Sequence, residues 1–533
     1  MHILAVLLAA LALLLVPGTA TAGPGDPWVA YVANSVVTKQ SAPSPVILRA
    51  NPATGALTEI SRNGQQGDLF RHPYDIAVAG DGSLLVADMG TYATSSDRTP
   101  DGRIIRVDPV TGRQSLVTSG NLLVDPAGLT LAPNGLIYVV ENVGPLGQPG
   151  VVSVNPSTGA QELVTEAGQL CYPFGIAAQP SGSLLVTDYG DFSDGKTVIN
   201  CTHDFGALVK VDAVTKAQTI LSRNAAQWGN LFRNLLGVTV GPDGRILLVN
   251  QNGATALVAV DPETGVQDAE TTNTATDRIV LPQRPALTPD GDVVVSDFTL
   301  DDFEGGLVSV DLPDGGQSIL RQDRQLFNNP LGVAVVSNRD PVPSLSASPA
   351  KVAGGRRVTF DASASSDPEG LQRRYAWDLD GNGSFETDGA TTPTIARTYS
   401  GTTTFIARVR VSDPHGASGV AGAPVSVDSI RPVIAGLTVR GSVITYRLSE
   451  PARVTIKLQR KSGKRWRRFR LLRQNGVAGR NRLRARSRAR AASRRSRVRY
   501  RAEAVAVDAV GNRSRPARLR LSARAASRLR VRR

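Results

Sequence analysis

Residues that most often carry chemistry are scarce in this chain: 533 residues include four histidines, two cysteines and two methionines. His2 falls in an apolar leader and His415 in a Pro-His-Gly turn, which leaves His72 and His203. No His/Cys cluster with zinc spacing is present. There is also no His-Glu-x-x-His, no Gly-x-Ser-x-Gly elbow and no glycine loop built to cradle phosphate. After the leader, no stretch is long and apolar enough for a membrane-spanning helix. Acids are nearly missing from the last fifth of the chain. From Arg431 to Arg533, 33 Lys and Arg stand against Glu450, Glu503 and Asp508, a net of +30. The whole chain carries +14, so the remainder carries −16. An acidic body is joined to a strongly basic tail.

What is present points to an exported β protein. Ile3 to Val16 is an apolar run of secretory length, followed by Pro17, Gly18 and an Ala20-Thr21-Ala22 cleavage site. We therefore expect residues 1–22 to be a signal peptide, and the mature protein to be secreted and associated with the cell surface. Hydrophobic residues at 41% and charged residues at 20% are ordinary for folded chains. The 52 Gly and 33 Pro imply many turns, as short-stranded β folds need. In an oxidising compartment Cys171 and Cys201 are expected to form a disulfide, with free thiols or a metal pair as the alternatives.

One hairpin turn recurs six times: Asn51-Pro52-Ala53-Thr54-Gly55, Asp108 to Gly112, Asn155 to Gly159, the degenerate Asp212 to Lys216, Asp261 to Gly265, and Asp311 to Gly315. Asp or Asn accepts local backbone hydrogen bonds, Pro presets φ, and Gly takes positive φ. Upstream lies a second signature, a short strand, a tight turn and an apolar strand ending in an acid or amide, as in Leu84-Leu85-Val86-Ala87-Asp88. The sixth copy is split. Its second strand, Trp28 to Asn34, opens the repeat region, while its first strand, Leu331 to Val336, closes it. Such an offset suits a ring in which the last strand completes the first sheet. The expected fold is all-β, a six-bladed propeller closed by its ends and followed by two immunoglobulin-like sandwiches. The boundaries expected are 23–340, 341–428 and 429–533. The pattern Pro-x-Gly-Ile-Ala-Val, Asp-Gly-x-Leu-x-Val-Ala-Asp, Ile-x-Arg-Val-Asp-x-x-Thr-Gly resembles the NHL and gluconolactonase-like propellers, over about Trp28 to Ser337. That resemblance speaks for architecture and little for function.

Behind the repeats, Val358 to Ser363, Ser366 to Gly370, Tyr375-Ala376-Trp377-Asp378 and Phe405 to Gly416 resemble a PKD domain, with Trp377 as its core aromatic. Such domains are sandwiches that space or attach secreted bacterial proteins. Asp378, Asp380 and Asn382 have the oxygen spacing of a Ca²⁺ loop, although position twelve is Gly389, where an EF-hand places Glu. A plain Asp/Asn/Gly turn is the other reading. From Arg431 onward, alternating strands resemble the Arg-rich immunoglobulin-like C-terminal modules of exported actinobacterial proteins.

Candidate sites follow from this map. Long insertions, Met89–Gly102, Tyr189–Gly206 and Phe298–Gly306, share one face of the expected ring, and long loops on one rim usually bind. His72, Tyr189 and Phe298 are the candidate ligand-binding residues there. Asn34, Asp88, Glu141, Asp188, Asn250 and Asp297 end the six second strands. The lactonase resemblance implies a divalent metal held by Glu, Asn and Asp, and turn capping is the competing role. No catalytic residue is assigned, and Ca²⁺ or another divalent ion is the one cofactor considered. The antibiotic-lactone lyases, also propellers, use histidines that have no match here. The expected function is an extracellular binding or adhesion protein for a glycan, peptide or protein, held by its basic module on an anionic cell-wall polymer. No specific nucleic-acid partner is expected. The alternative is a metal-dependent, lactonase-like hydrolase.

Overall fold

The computed structural model describes residues 27–35, 44–64, 66–91, 100–144, 147–190, 206–251, 255–271, 278–298, 305–312, 314–323, 326–327, 329–485 and 498–529. The leader, Cys201, His203 and the middle of each long insertion lie outside them. Among the described residues one short helix, Ala523–Arg528, accompanies 39 strands. No helix is long and apolar enough to cross a membrane. The chain divides into two compact units: residues up to Pro341 with Asp367–Arg373 and Ser412–Ser418, and the remainder.

The first unit holds six four-stranded antiparallel sheets, the arrangement of propeller blades. Five are built in chain order, beginning at Pro73, Pro126, Pro173, Leu235 and Pro282. The sixth joins Pro330–Ser337 to Trp28–Asn34, with Trp28 opposite Ser337 and Val32 opposite Val333. Each first strand packs against the next: Pro73–Val78 on Pro126–Leu131, then Pro173–Ala178, Leu235–Val240, Pro282–Leu287, Pro330–Ser337, and back to Pro73–Val78. Four second strands, such as Leu84–Asp88 and Ile246–Asn250, are buried at every residue, and Trp28–Asn34 and Ser183–Asp188 at all but the first. Sheets cover both their faces, and they read as unbroken apolar runs for that reason. Fourth strands such as Gln114–Ser119 lie at the outer edge and are largely exposed.

The recurring turn does what its residues dictate. Asp108 Oδ1 accepts the Val110 and Thr111 amides at 2.8 and 3.1 Å, and Asp261 treats Glu263 and Thr264 alike. Gly112 has φ 70°, and a Cβ there would lie 2.2 Å from the Ile60 carbonyl of the preceding sheet. In the degenerate copy Lys216 itself takes φ 64°. The glutamine two residues beyond most of these glycines stitches sheets together. Gln114 accepts the Leu69 amide and donates to Ser61, and Gln267 does the same with Leu231 and Ser222. The loops Ser61–Arg71 and Ser222–Arg233, similar in sequence, share a brace: Asn63 and Asn224 each bond both backbone groups of Phe70 and Phe232.

The second unit contains two pairs of sheets. One pairs Ser346–Ser348, Arg357–Asp361 and Thr394–Thr398 with a five-stranded sheet that includes Arg374–Asp378, Thr403–Ser412 and Ser418–Asp428. Trp377 is fully buried in the shared core with Phe360, Val409 and Val427. The other pairs Ile434–Arg440, Val443–Leu448 and Gly479–Arg484 with Arg465–Gly476, Ala452–Ser462, Tyr500–Val507 and Ala517–Leu521. Its core is Ile444, Tyr446, Ile456 and a row of alanines, while charged residues occupy the outward positions. Alternation along Val443–Leu448 and the first half of Ala452–Ser462 separates the two faces.

Candidate functional site

Each second strand ends in one of the six acid or amide residues, and each of these is buried. All six side chains bond the loop that enters their own sheet. Asp88 Oδ2 accepts the Arg71 and His72 amides, and its Oδ1 accepts Gly90. Asp188 repeats this with Cys171, Tyr172 and Gly190. Asp297 takes Val280 and Leu281, and Glu141 takes Val124 and Asp125. Asn34 and Asn250 accept one amide each, from Asn329 and Arg233, and also donate to the carbonyls of Leu326 and Leu231. An amide stands in those two sheets because a carbonyl there needs a donor, which a carboxylate cannot supply. The observed geometry is loop capping.

The same ends build a collar. The residue after each second strand donates its amide to the carbonyl of the residue before each first strand: Ser35 to Asn329, Met89 to His72, Asn142 to Asp125, Tyr189 to Tyr172, Gln251 to Asn234 and Phe298 to Leu281, at 2.9–3.2 Å. Of the residues singled out from sequence, Tyr189 and Phe298 occupy equivalent donor positions on it, and His72 occupies an acceptor position. His72 Nδ1 lies 2.7 Å from Ser35 Oγ, and burial lowers its pKa, favouring the neutral ring. Cys171 is buried beside the collar, whereas the expected bridge to Cys201 lies outside the described residues.

Sequence reasoning missed the aromatic strip that starts there. His72 and Tyr74 lie 6.2 Å apart, Tyr74 stacks at 6.3 Å on Phe174 of another sheet, and Phe174 meets Tyr172 at 5.0 Å and Tyr189 at 5.6 Å. The small Ala127, at the equivalent position between them, leaves room for Tyr74 to reach Phe174. His72, Tyr74, Tyr172 and Tyr189 stay half-buried.

One residue further along each first strand the neighbouring backbones approach closely. Four of the six equivalent positions are Gly128, Gly175, Gly237 and Gly332, and the other two are Asp75 and Arg284. A Cβ on Gly128 would lie 2.3 Å from the Phe174 carbonyl, and one on Gly332 would lie 2.6 Å from Asp75 Cα. Arg284, 4% exposed, donates to the Ala127, Phe174 and Gln283 carbonyls. It also faces Asp75 at 3.6 Å and the Tyr74 ring at 5.5 Å. Burial pushes the Asp75 carboxyl up, and Arg284 opposes that shift.

In the second unit Asp378 is buried. Burial alone would raise its carboxyl, but the Gly383 and Gly381 amides and Arg408 hold it below the usual range. Asp380 faces Arg397 at 3.5 Å, and Asn382 donates to Glu386 at 2.6 Å. Glu386, not foreseen, joins Asp378 and Asp380 in one oxygen cluster. A second cluster gathers Asp428 with Glu450 and Asp508, two of the three acids of the Arg-rich region. Burial and these neighbours raise the Glu450 carboxyl.

The PKD domain family model matches residues 338–427. No curated protein matches the chain significantly. Among solved structures, TolB from Acinetobacter baumannii is 16% identical, covering 59% of this chain and 68% of its own, with a TM-score of 0.42. A chain of the nidogen/laminin complex is 12% identical over 58% and 98%, with a TM-score of 0.41. A protein of unknown function from Bacteroides thetaiotaomicron is 13% identical over 58% and 85%, with a TM-score of 0.36. Likenesses at this level carry nothing about function.

Proposed function

We propose that this protein is an extracellular binding or adhesion protein whose six sheets form a closed six-bladed propeller and whose collar holds the ligand. The observation that carries the reading is the strip His72–Tyr74–Phe174–Tyr172–Tyr189. It combines half-buried ring faces with a polar side chain, Asn234, that hydrogen-bonds Tyr189. Binding sites commonly join apolar ring surface to a few placed polar groups in this way. A glycan fits best, since sugar faces are apolar and their rims are hydroxyls; a peptide or protein is the competing ligand. The signal peptide and the Cys171–Cys201 bridge belong to the same reading. The PKD domain serves as spacer, and the basic module retains the protein on anionic wall polymer.

The hydrolase alternative is weaker. The strand-end carboxylates cap loops, and glycines with the Arg284–Asp75 pair fill the next layer inward. Glycan arrays probed with the full chain and with Tyr172→Ala test the proposal. Loss of binding by tenfold or more in a variant that melts normally is expected; equal binding refutes the collar as the site. Retention on cell-wall material should weaken with salt and vanish on deletion of residues 431–533.

A further inference from the structure

The last pair of sheets presents two outward faces, and their arginines are compensated differently. On the four-stranded sheet the charges find partners within the molecule. Arg518 donates to Glu503 at 2.8 Å, and Arg501 faces Glu503 at 3.6 Å. Arg501 also donates to Gln459 at 2.7 Å and lies 4.4 Å from the centre of the Trp466 ring. The three-stranded sheet differs. Its register sets three rows across Ile434–Arg440, Val443–Leu448 and Gly479–Arg484: Ala435, Arg447 and Arg480; Thr438, Thr445 and Arg482; Arg440, Val443 and Arg484. Their neighbours Ile444, Tyr446, Leu448 and Asn481 are buried, so these rows form the outward face, and all five arginines are exposed. No acid stands among the nine residues. Glu503 serves the other sheet, and Glu450 and Asp508 gather with Asp428. Among the described residues none of the five guanidiniums makes an ion pair or a hydrogen bond.

Such a face works against itself in the free protein. Arg447 stands directly opposite Arg480, and like charges placed so on a sheet repel. Arg480, Arg482 and Arg484 follow at alternate positions, about 6.8 Å apart along the strand. Charge on an edge strand discourages pairing with other chains, but Arg447 lies on the central strand and has no such task. A bound anion relieves the repulsion, and an evenly spaced row suits one that carries repeated charges. Arginine forks grip the oxygens of phosphate or carboxylate in pairs. The face itself separates the polymers. None of its nine residues is an aromatic on which a base could stack, as single-stranded nucleic acid requires. The residues between the guanidiniums, Ala435, Thr438, Val443 and Thr445, are short and leave the surface flat. A chain of uronate rings is stiff and turns its carboxylates to alternating sides, so a flat face meets only some of them. A polyol-phosphate chain is flexible, turns each phosphate to the surface, and extends to a spacing comparable with that of the Arg480–Arg484 row.

We propose that the outward face of this three-stranded sheet docks a polyol-phosphate polymer, held by Arg440, Arg447, Arg480, Arg482 and Arg484. This rests on the reading of the basic module as wall anchor and deepens it, naming the face and the class of polymer.

The test is calorimetric titration of the full chain with poly(glycerol phosphate) at low salt. Wild type is expected to bind and to melt higher with the polymer. The triple variant Arg480→Gln, Arg482→Gln, Arg484→Gln should bind about tenfold or more weakly. Without polymer it should melt no lower than wild type, because a repulsion is gone. A charge-matched control, Arg465→Gln, Arg467→Gln, Arg473→Gln, removes three exposed arginines from the other sheet and should stay within about threefold of wild type. Arg440→Gln with Arg447→Gln serves if the first variant does not fold. Equal weakening in variant and control would leave net charge as the cause and overturn the proposal. A full chain that binds no poly(glycerol phosphate), or that binds polygalacturonate or a single-stranded oligonucleotide as tightly, also overturns it. The anchor reading fails separately, if a chain lacking residues 431–533 still stays on cell-wall material.

Discussion

Substituting Arg284 by methionine is the sharpest probe of how the first strands pack together. The guanidinium donates to three carbonyls and faces Asp75, which is 6% exposed and has no other side-chain cation acting on it. Removing one partner of a buried pair leaves an uncompensated charge, which costs about 3–5 kcal/mol. For a unit of this size that is a fall of about 6–10 °C in melting temperature. The cost has a pH signature. Asp75 already titrates above its ordinary value, and losing Arg284 raises it further. Only the charged form is penalised, so the deficit is full at neutral pH and shrinks as pH falls through the folded-state value. Adding Asp75→Asn should recover about 1.5–2 kcal/mol, the coupling expected of groups in contact. Differential scanning calorimetry of the full chain is the assay, with the second unit's transition as internal control. An Arg284→Met variant that melts with the parent at pH 7, or a double variant no better than the single, would refute the reasoning.

Three further outcomes follow from the same geometry. Gly128→Ala, with its Cβ 2.3 Å from the Phe174 carbonyl, should destabilise the first unit by about 1–3 kcal/mol in chemical denaturation, whereas exposed Gly80→Ala, which meets no neighbour and no left-handed φ, should leave the transition in place. Asp88→Ala strands three amides and should cost about 2–3 kcal/mol, without changing any cation affinity measured by calorimetry. His415 accepts or donates with Tyr31 at 3.0 Å, and burial, then Arg49, pushes its pKa down to about 4. Its stabilising contribution is complete above the unfolded value near 6.5 and is lost as pH falls towards 4, up to about 3 kcal/mol. Asp413, raised to about 7 by burial, acts in the opposite sense: its charged form is disfavoured, and that burden fades on acidification. Melting temperatures from pH 7.5 to 4.5 should therefore rise on acidification in His415→Asn and fall in Asp413→Asn, relative to wild type. Parallel profiles would contradict both assignments.

Local chemistry was legible in the linear chain. The Asp/Asn-Pro-x-Thr-Gly turns fold as their residues require, and even Lys216 follows the pattern by accepting a left-handed φ. Period-two and unbroken apolar runs located the strands, because the first report one covered face and the second report two. The offset of the split copy placed Trp28–Asn34 beside Pro330–Ser337. The PKD segment was visible in its own motifs.

What stayed hidden depends on residues far apart in sequence whose meeting no local pattern encodes. Glycine at four inner positions reads as a strand defect until neighbouring backbones are seen within a Cβ's reach. Asp75 and Arg284, 209 positions apart, are two unrelated charges until packing sets them side by side. The aromatic strip exists because first strands from separate sheets converge, and Glu386 enters its oxygen cluster through a turn that no ligand spacing describes. The acids that end the second strands could serve a metal or a backbone as far as the sequence goes, and only the structure shows that their oxygens accept the loop amides. Composition, turns and strand periodicity are properties of neighbours along the chain; site geometry is a property of neighbours in space, and packing alone assigns those.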